Sequence, residues 1–495
     1  MVDVMNLHLA RHLARKAIGG ALAAALVLAS CSADTPQANV GTQGPDVAAP
    51  STGTGVPTTL AAPSGSASPS ATPAPPATSA APSTIPQPVL INDLAVAPDA
   101  QRIDLVMPTF SDPTSVTNPL HPSALVESVL LLGTVDDQAF RTEVTLLPET
   151  RLIAWAGQRI EALVSQYVAF LDGRIHEVAY DFYAQADDGS VWYLGEDVYN
   201  FADGVIVDTH GTWLAGKDGP GAMIMPADPQ VGETYRPENI PGFVFEEVTV
   251  ASVDQPVDGP LEPIDGALVI TELHMDGSRE DKTFAPGYGE FYTSAGGDTE
   301  ALALAVPPDT VGDVVPADLE AVWRAALATL EAVARGSWPA ASASAGELGT
   351  SWERHARGDA VPVLVAPVMG RAVADLAAAV ESADANAAHQ AAMAVAQTSN
   401  DLRLLYLPVA EVDRARLDLW LTQLAFDSAA GDAAAVNGDF FTIDSIRDRI
   451  LHTFDGTART LLNTGLEELQ GAVGDVDLPA AADAAHALRV TLSSL

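Results

Sequence analysis

The pattern of hydrophobic and polar positions divides the chain into a strand-forming part and a helix-forming part. Within Glu177–Tyr183, apolar and aromatic side chains alternate with smaller or polar ones, which is the period of a half-buried strand. A turn sequence follows at Asp187–Ser190, and the apolar stretch Val191–Leu194 supplies the partner strand. The run Ala267–Ile270 is typical of a strand buried on both faces. Residues 89–310 are therefore predicted to form an antiparallel β-rich domain.

Helical periodicity replaces this alternation after about residue 311. Leu319 and Val322 begin a stripe that continues to Val333 at the three- and four-residue spacing of one helix face. Similar apolar stripes occupy 369–380, 388–402, 417–426, 436–454, 461–469 and 488–495. The stretch 417–426 is apolar on nearly every side, which indicates a central, buried helix. Short turns between the stripes predict an antiparallel α-helical bundle for residues 311–495.

Residues 32–88 show neither pattern. They contain twelve prolines among Ala, Ser, Thr and Gly, no aromatic side chain, no Lys or Arg, and only the acids Asp34 and Asp46. Because such a composition buries too little apolar surface to offset the loss of chain entropy, this segment is predicted to be a disordered stalk. The expected organisation is thus multidomain, with the stalk leading into the β-rich domain and then the bundle.

The first thirty residues have the layout of a secretory signal. Three basic residues precede an apolar run from Ala17 to Ala29, and the small residue Ser30 comes directly before Cys31. The apolar run is shorter than the about 20 residues with which a helix crosses a membrane. Residues 1–30 are therefore predicted to be a signal peptide that is cleaved between Ser30 and Cys31.

The tetrapeptide Leu28-Ala29-Ser30-Cys31 resembles the lipobox of bacterial lipoproteins. The resemblance implies that Cys31 receives a diacylglyceryl thioether, with acyl chains such as palmitate, and begins the mature protein. Two acyl chains give a stable membrane anchor. The expected location is therefore extracytoplasmic, with residues 31–88 as a lipidated stalk on the cell membrane. In a cell with two membranes, the uncharged Ser32 favours the outer one.

The chain is strongly acidic, which restricts its partners. It has 24 Lys and Arg residues against 65 Asp and Glu residues, a formal net charge of −41. Such a charge repels nucleic acid and anionic lipid headgroups, so a nucleic-acid partner is not expected. Because the sequence has one cysteine, Cys31, no disulfide within the chain is expected and the folded parts depend on apolar cores.

Residues 115–305 resemble a β-rich domain of secreted bacterial proteins that has no assigned activity. The stretches that carry the resemblance are Asn118–Pro122, Tyr180–Gln185, Asp188–Asp197, Gly211–Trp213, Ile224–Asp228, Val231–Gly232 and Phe284–Gly289. The resemblance implies a fold and an export route, and it carries over no functional residue.

Acidic clusters are the candidates for metal binding, and each has a structural alternative. One cluster flanks a predicted hairpin and comprises Asp187, Asp188, Glu196 and Asp197. Its oxygen atoms suit calcium, but their spacing matches no calcium loop, and acids in turns are commonly solvated. A second pair, Asp444 and Asp448, shares one helix face beside two arginines, so local ion pairing is the simpler interpretation.

The remaining metal-ligating residue types are scattered. His176, His210 and His274 lie singly on strand-like stretches, and they lack Cys or acid companions at ligand spacing. The bundle candidates are His389 and the acids Asp401, Asp413, Asp418 and Asp427. A carboxylate-bridged metal bundle would need Glu-x-x-His pairs on facing helices, and the sequence has none. No metal or other cofactor is therefore predicted.

The sequence contains none of the common catalytic motifs. It lacks G-x-S-x-G, H-E-x-x-H, Ser-x-x-Lys and G-x-x-x-x-G-K-[S/T]. We therefore expect a non-enzymatic, membrane-anchored lipoprotein of the cell envelope that binds a small ligand or a protein partner. Two alternatives remain: a cation- or metal-binding envelope protein that uses the acidic bundle, and a carboxylate-based hydrolase of envelope material. The second stays open because a pair of carboxylates leaves no sequence motif.

Overall fold

The strands of the protein follow one another between residues 89 and 306. The computed structural model describes residues 89–91, 93–358 and 361–495. The predicted signal peptide, the lipidation site Cys31 and the stalk to residue 88 lie outside the described residues. The strands are β1 (Val89–Ile91), β2 (Leu94–Val96), β3 (Ser128–Val135), β4 (Gln138–Trp155), β5 (Gln158–Leu171), β6 (Arg174–Gln185), β7 (Val191–Ala202), β8 (Val205–Asp208), β9 (Trp213–Leu214), β10 (Ala222–Met225), β11 (Thr234–Ile240), β12 (Val244–Asp258), β13 (Pro263–His274), β14 (Arg279–Ala285), β15 (Gly289–Ala295) and β16 (Asp298–Val306).

All strands after β2 belong to one antiparallel sheet. Along its hydrogen-bonded path the order is β10-β7-β6-β5-β4-β3-β16-β15-β14-β13-β12-β11, and β8 and β9 pair with β7 as side branches. The two end strands of this path, β10 and β11, contact each other. The sheet therefore curls round until its ends meet, and one of its faces turns inward.

Two-residue turns set the register of the longest strands. Ala156–Gly157 joins β4 to β5, and Asp172–Gly173 joins β5 to β6. All four turn residues have positive φ, at 50°, 78°, 48° and 75°. This is the geometry of the type I′ turn, whose twist matches that of the strands it connects. The second turn also brings the start of β6 next to the helices.

Helices occupy the described chain after residue 316. They are α1 (Ala317–Ala334), α2 (Trp338–His355), α3 (Val365–Ser382), α4 (Ala385–Arg403), α5 (Val409–Ala430), α6 (Ala433–Ile450), α7 (Gly456–Gly474) and α8 (Leu478–Ser494). The predicted fold class, an antiparallel β-rich region followed by an α-helical bundle, is confirmed.

Helix α2 has no counterpart among the predicted stripes. Its sequence is rich in Ala, Ser and Gly, and Leu348 and Trp352 are the larger apolar side chains that it buries. Pro339 lies in its first turn, where a missing N–H costs no helical hydrogen bond. The helix packs against α1 and α3. Such packing, more than intrinsic propensity, stabilises a helix of this composition.

The helices cover the outer face of the sheet. Leu130 of β3 and Leu304 of β16 share an apolar cluster with residues of α1 to α5. Val168 and Phe170 of β5 share a second cluster with residues of α5 to α8. The described residues therefore form one compact unit in which sheet and bundle are joined by common cores. Within the described part of the chain, no helix has the length and apolar character needed to cross a membrane.

Candidate functional site

A cleft opens between the sheet and the bundle, and we name it the sheet–bundle cleft. Its walls are the β3–β4 and β5–β6 hairpins and one face each of α3, α4 and α5. Its volume is about 290 Å³. Small-molecule sites occupy about 300–1,000 Å³, so the cleft is the size of a small site.

The floor of the sheet–bundle cleft is apolar and buried. Phe170 of β5 stacks on Trp420 of α5, with ring centroids 5.7 Å apart and an angle of 14° between the planes. Met393 of α4 extends this surface and is 8% exposed. A methionine side chain adapts to ligands of different shape. The floor therefore suits an apolar group better than a hydrated one.

The rim of the cleft is basic. Arg371 of α3 lies exposed at the rim, and it makes no hydrogen bond or ion pair with any described residue. Arg174, the first residue of β6, lies at the rim with 43% of its side chain exposed. Its Nη1 donates to Asp427 Oδ2 at 2.7 Å and to Asp439 Oδ1 at 3.1 Å. Two guanidinium groups thus border an apolar floor.

A buried chain of hydrogen bonds connects the cleft to His389. Gln423, on the floor, donates from Nε2 to Asp427 Oδ2 at 2.9 Å, and its Oε1 lies 3.2 Å from His389 Nε2. The imidazole also stacks on Phe426 with centroids 3.6 Å apart. Burial lowers the pKa of His389 to about 4, so the ring is neutral near pH 7 and its Nε2–H donates to Gln423. His389 therefore orients a side chain of the floor.

A buried ion-pair network lies behind another wall of the cleft. We name it the interface cluster; its members are Arg141, Glu143, Asp401, Asp413, Arg416 and Arg449. It joins β4 of the sheet to α4, α5 and α6 of the bundle. Three arginines therefore meet three carboxylates, and the charges balance. Because Arg141 also lines the cleft, the cluster fixes the position of that wall.

The geometry of the interface cluster is that of strong, charge-assisted pairs. Arg141 donates from Nη1 and Nη2 to the two oxygens of Asp401, each at 2.7 Å. Arg449 Nη1 donates to Glu143 Oε2 at 2.6 Å, and Arg416 Nη2 donates to Asp401 Oδ1 at 2.8 Å. Burial alone would raise the pKa of Glu143, but the surrounding guanidinium groups hold it well below its usual range.

The inner face of the sheet carries a second concentration of buried charge, which we name the interior acids. They are Glu177, Asp181, Glu196, Glu238, Glu246, Glu272, Glu280, Glu290 and Glu300, each at most 4% exposed. Among the described residues, the basic side chains on this face of the strands are Lys282 and His274. Lys282 pairs with Glu272, its neighbour across β13 and β14. Acids outnumber cations here, unlike in the interface cluster.

The pKa values of the interior acids respond to this imbalance. Burial raises the pKa of Glu300 to about 8. Burial and the neighbouring Glu246 raise the pKa of Glu272 to about 7, against the opposing effect of its cationic neighbours. Burial would lower the pKa of His274, but hydrogen bonds to Glu246 and Glu280 raise it to about 10. Protons therefore remain on part of this group at neutral pH.

The hairpin acids Asp187 and Asp188 accept hydrogen bonds from loop residues, Asp187 from a distant loop and Asp188 from its own turn. Asp187 accepts hydrogen bonds from the Ser111 N–H at 2.7 Å and from Thr109 Oγ1 at 2.8 Å. These bonds lower the pKa of its carboxyl group. Asp188 accepts from the N–H and the hydroxyl of Ser190, at 2.9 and 2.6 Å. Both acids therefore fix loop conformation.

Glu196 and Asp197 point to opposite faces of β7. Glu196 is buried on the inner face, whereas Asp197 accepts from Arg151 Nη1 on the other face at 2.5 Å. Neighbouring residues of a strand alternate between faces, so these acids cannot share one ligand. The structure thus does not bring the four predicted hairpin acids together.

The histidines of the sheet are separated in the same way. His274 contacts Glu246 and Glu280 inside the sheet. The rings of His176 and His210 lie against Phe140 and Phe243, with centroids 6.4 and 5.6 Å apart. In the bundle, the pair Asp444 and Asp448 is bridged by Arg447, whose Nη2 lies 2.9 Å from one oxygen of each. In the part of the chain that the structure describes, no group of three or more His, Cys, Asp or Glu side chains is placed to hold a metal ion.

Sequence reasoning missed the sheet–bundle cleft. Its basic residues Arg141, Arg174 and Arg371 come from three segments that are far apart in the sequence. Its floor residue Trp420 was assigned only to a buried helix, which the pattern could predict without saying what the helix faces. No local spacing marks such a site, because its parts meet only after the helices pack on the sheet.

Comparison with known proteins adds no assignment. No protein-family model matches the chain, and no curated protein is significantly similar to it.

Proposed function

We propose that the protein is a non-enzymatic binding module of the cell envelope that holds a small ligand in the sheet–bundle cleft. One observation carries the proposal: the cleft combines a buried aromatic floor with a rim of convergent polar groups. This combination is characteristic of small-molecule sites. The floor residues Phe170 and Trp420 would contact the apolar part of the ligand.

The chemical groups of the cleft support binding more than catalysis. The Thr398 hydroxyl donates to the carbonyl of Ala394 at 2.8 Å, within its own helix. His389, which would be the natural general base, is hydrogen-bonded to Gln423, and no hydrogen bond among the described residues joins it to that hydroxyl. A nucleophile and its base need to lie within hydrogen-bond reach of each other. The cleft therefore holds groups that position a ligand.

The proposed location adds a tether to this module. If Cys31 is acylated, residues 32–88 would tether the folded part to the lipid anchor. The cleft would then work close to a membrane surface while the folded part remains outside the lipid. Both the anchor and the location rest on the lipobox resemblance.

A neutral solvatochromic dye such as Nile red tests the proposed function. The material is the mature chain, residues 31–495, made soluble by Cys31→Ala. We expect saturable binding at one site, with blue-shifted emission. Ala394 lies exposed on the rim, so Ala394→Trp should fill the cleft and reduce dye affinity at least tenfold.

The matched control is Ala387→Trp, at an exposed position of α4 that lies two helix turns before Ala394 and outside the cleft lining. It should leave the dye affinity within twofold. Equal dye binding by both tryptophan variants and the parent protein would show that the dye does not occupy the cleft. That result would remove the support for the proposed function.

A further inference from the structure

The charge at the rim of the sheet–bundle cleft is unusual for this chain. The protein has a formal net charge of −41, yet no described carboxylate lies within 4.0 Å of the Arg371 guanidinium. This includes Asp375, which lies at helical spacing on the same helix. An arginine without an acidic partner in an acid-rich protein keeps all of its N–H donors for another anion.

Arg174 has donors left over as well. Among the described residues, only its Nη1 donates, to Asp427 and Asp439. Burial and the adjacent Asp427 raise the pKa of Asp439, against the opposing effect of the Arg174 guanidinium. Because Asp427 and Asp439 hold one end of the guanidinium group, its remaining N–H groups stay fixed at the rim.

The floor defines the rest of the ligand. The surface formed by Phe170, Met393 and Trp420 has no charged group, and the volume of the cleft is about 290 Å³. A water-sized group takes about 30 Å³, so roughly ten such groups fit. This corresponds to an unbranched chain of about ten carbons. A multiply charged ligand such as a nucleotide would meet the acids behind Arg174 and fits less well.

We propose that the sheet–bundle cleft binds a single-chain amphipathic carboxylate, with the carboxylate between Arg371 and Arg174 and the hydrocarbon chain on the aromatic floor. The inference rests on the proposed function and names its ligand class. Guanidinium–carboxylate pairs are bidentate and charge-assisted, so the head group would be recognised by charge and by shape. The chain would gain the usual free energy of removing apolar surface from water.

Displacement of the neutral dye by decanoate and by decanol tests the ligand class. Both share the chain, and only decanoate carries the charge. We expect decanoate to bind at least tenfold more tightly than decanol, since hydrogen bonds to a charged partner commonly contribute that much. Arg371→Gln should remove most of this difference by weakening decanoate about tenfold and leaving decanol within twofold. Arg371→Lys, which keeps the charge without the fork of donors, should lie between them.

Arg159→Gln is the matched control. Arg159 is exposed, lies on β5 away from the cleft lining and has no ion pair with a described residue. It should change neither affinity by more than twofold. Decyl phosphate should bind more weakly than decanoate, because the proposed site takes a singly charged carboxylate head group. Tighter binding of the phosphate would overturn the choice of carboxylate.

The outcomes separate the two proposals. If the dye binds in the cleft but decanoate and decanol displace it equally, the ligand class is wrong and the proposed function stands. If Arg371→Gln and Arg159→Gln weaken decanoate to the same extent, the effect is a general loss of positive charge and the head-group site is wrong. If the dye itself does not bind, the proposed function fails first.

Discussion

The interface cluster and the interior acids are two buried groups of charge on opposite faces of one sheet, and they differ in balance. In the interface cluster, three arginines meet three carboxylates. On the inner face, nine acids accompany Lys282 and His274 among the described residues. Burial is nearly complete in both. The pKa of Glu143 nevertheless falls well below its usual range, whereas the pKa of Glu300 rises to about 8.

This difference shows that compensation by neighbouring charge, and not burial, decides the protonation state of a buried acid. Guanidinium groups within hydrogen-bond distance offset the desolvation of Glu143, so it stays ionised. No guanidinium or other cationic group of the described residues lowers the pKa of Glu300, so burial dominates and the neutral acid is favoured. Glu143 therefore stays charged, whereas Glu272 and Glu300 exchange protons with the solvent near neutral pH.

The two groups should respond to pH in opposite directions. A carboxyl whose folded pKa is lowered, such as Glu143, contributes stability above its unfolded pKa near 4.5, and this contribution is lost progressively as the pH falls below that value. A carboxyl whose folded pKa is raised, such as Glu300, contributes stability below about 4.5, and this contribution is lost as the pH rises toward 8. His274, with a pKa raised to about 10, contributes below about 6.5 and loses its contribution between there and pH 10.

The largest expected effect comes from breaking the balanced group. Arg416→Met leaves Asp413 and Glu143 buried with one guanidinium fewer, since Arg416 Nη1 lies 2.9 Å from Asp413 Oδ1 and its side chain is 1% exposed. Removing one partner of a buried ion pair typically costs about 3–5 kcal/mol. We expect a loss of about 4 kcal/mol in the free energy of unfolding at pH 7, measured by urea titration.

Arg335→Met is the control for this variant. Arg335 pairs with Glu331 on the surface of α1, with both side chains more than 60% exposed. Exposed pairs contribute about 0–1 kcal/mol, so its effect should be small. A loss below about 1 kcal/mol for Arg416→Met would mean that the cluster does not hold its carboxylates in the charged state.

A smaller effect is expected from removing a cationic side chain that lies among the interior acids. Lys282→Met deletes the fully buried partner of Glu272. Because Glu272 has a pKa raised to about 7, it can take up a proton and relieve part of the loss. We expect a decrease of about 3 kcal/mol in the free energy of unfolding at pH 8 and a clearly smaller one at pH 5, by urea titration at both values.

The other lysine of the folded part is the matched control. Lys217 is 71% exposed and pairs with Asp218, so Lys217→Met should change stability by less than about 0.5 kcal/mol at either pH. An equal loss at pH 5 and pH 8 for Lys282→Met would show that Glu272 does not exchange a proton in this range. The contrast with Arg416→Met, whose effect should be the same at both values, would then disappear.

A third effect, smaller again, comes from neutralising one interior acid. Glu300→Gln keeps the size of the side chain and removes a charge that folding disfavours above about pH 5. The parent protein should lose stability between pH 5 and pH 9, and the variant should lose on the order of 2 kcal/mol less. Urea titrations at pH 5, 7 and 9 measure this difference. Glu331→Gln, at an exposed position of α1, should leave the pH profile unchanged, and a parallel profile for Glu300→Gln would contradict the prediction.

The sequence predicts the layers of the fold better than the buried charge. Alternation and turn residues predicted β6, β7 and β13, because half-buried strands and tight turns leave a local signal. Helix α2 was missed, since its buried face uses small residues that periodicity does not detect. The interface cluster was missed for another reason: Glu143 and Arg449 are 306 residues apart, so only tertiary packing makes them partners.

Local spacing likewise divides the candidate residues into those that the sequence predicts and those that it does not. Asp444 and Asp448 were identified from their helical spacing, and the structure places Arg447 between them as local spacing suggests. The cleft, in contrast, uses Arg371, which has no acid partner, and a single arginine on a helix carries no signal of its own. Arg371 becomes a candidate binding residue only because it borders the floor formed by Phe170 and Trp420, which belong to other elements.

The smallest expected effect extends the comparison to the surface. Arg447 bridges Asp444 and Asp448, and these three side chains are 26%, 39% and 29% exposed. Water and salt screen such pairs, and Asp448 keeps a hydrogen bond from the Tyr180 hydroxyl at 2.8 Å when the arginine is removed. Arg447→Ala should therefore lower the free energy of unfolding by no more than about 1 kcal/mol. Because the Debye length falls to about 3 Å in 1 M salt, that loss should shrink in urea titrations at high salt, whereas the loss from Arg416→Met should persist. A loss for Arg447→Ala that is as large as that for Arg416→Met and independent of salt would contradict this prediction. It would show that solvent exposure does not weaken these ion pairs, and that the balance of positive and negative charge alone decides how much a charged group stabilises this fold.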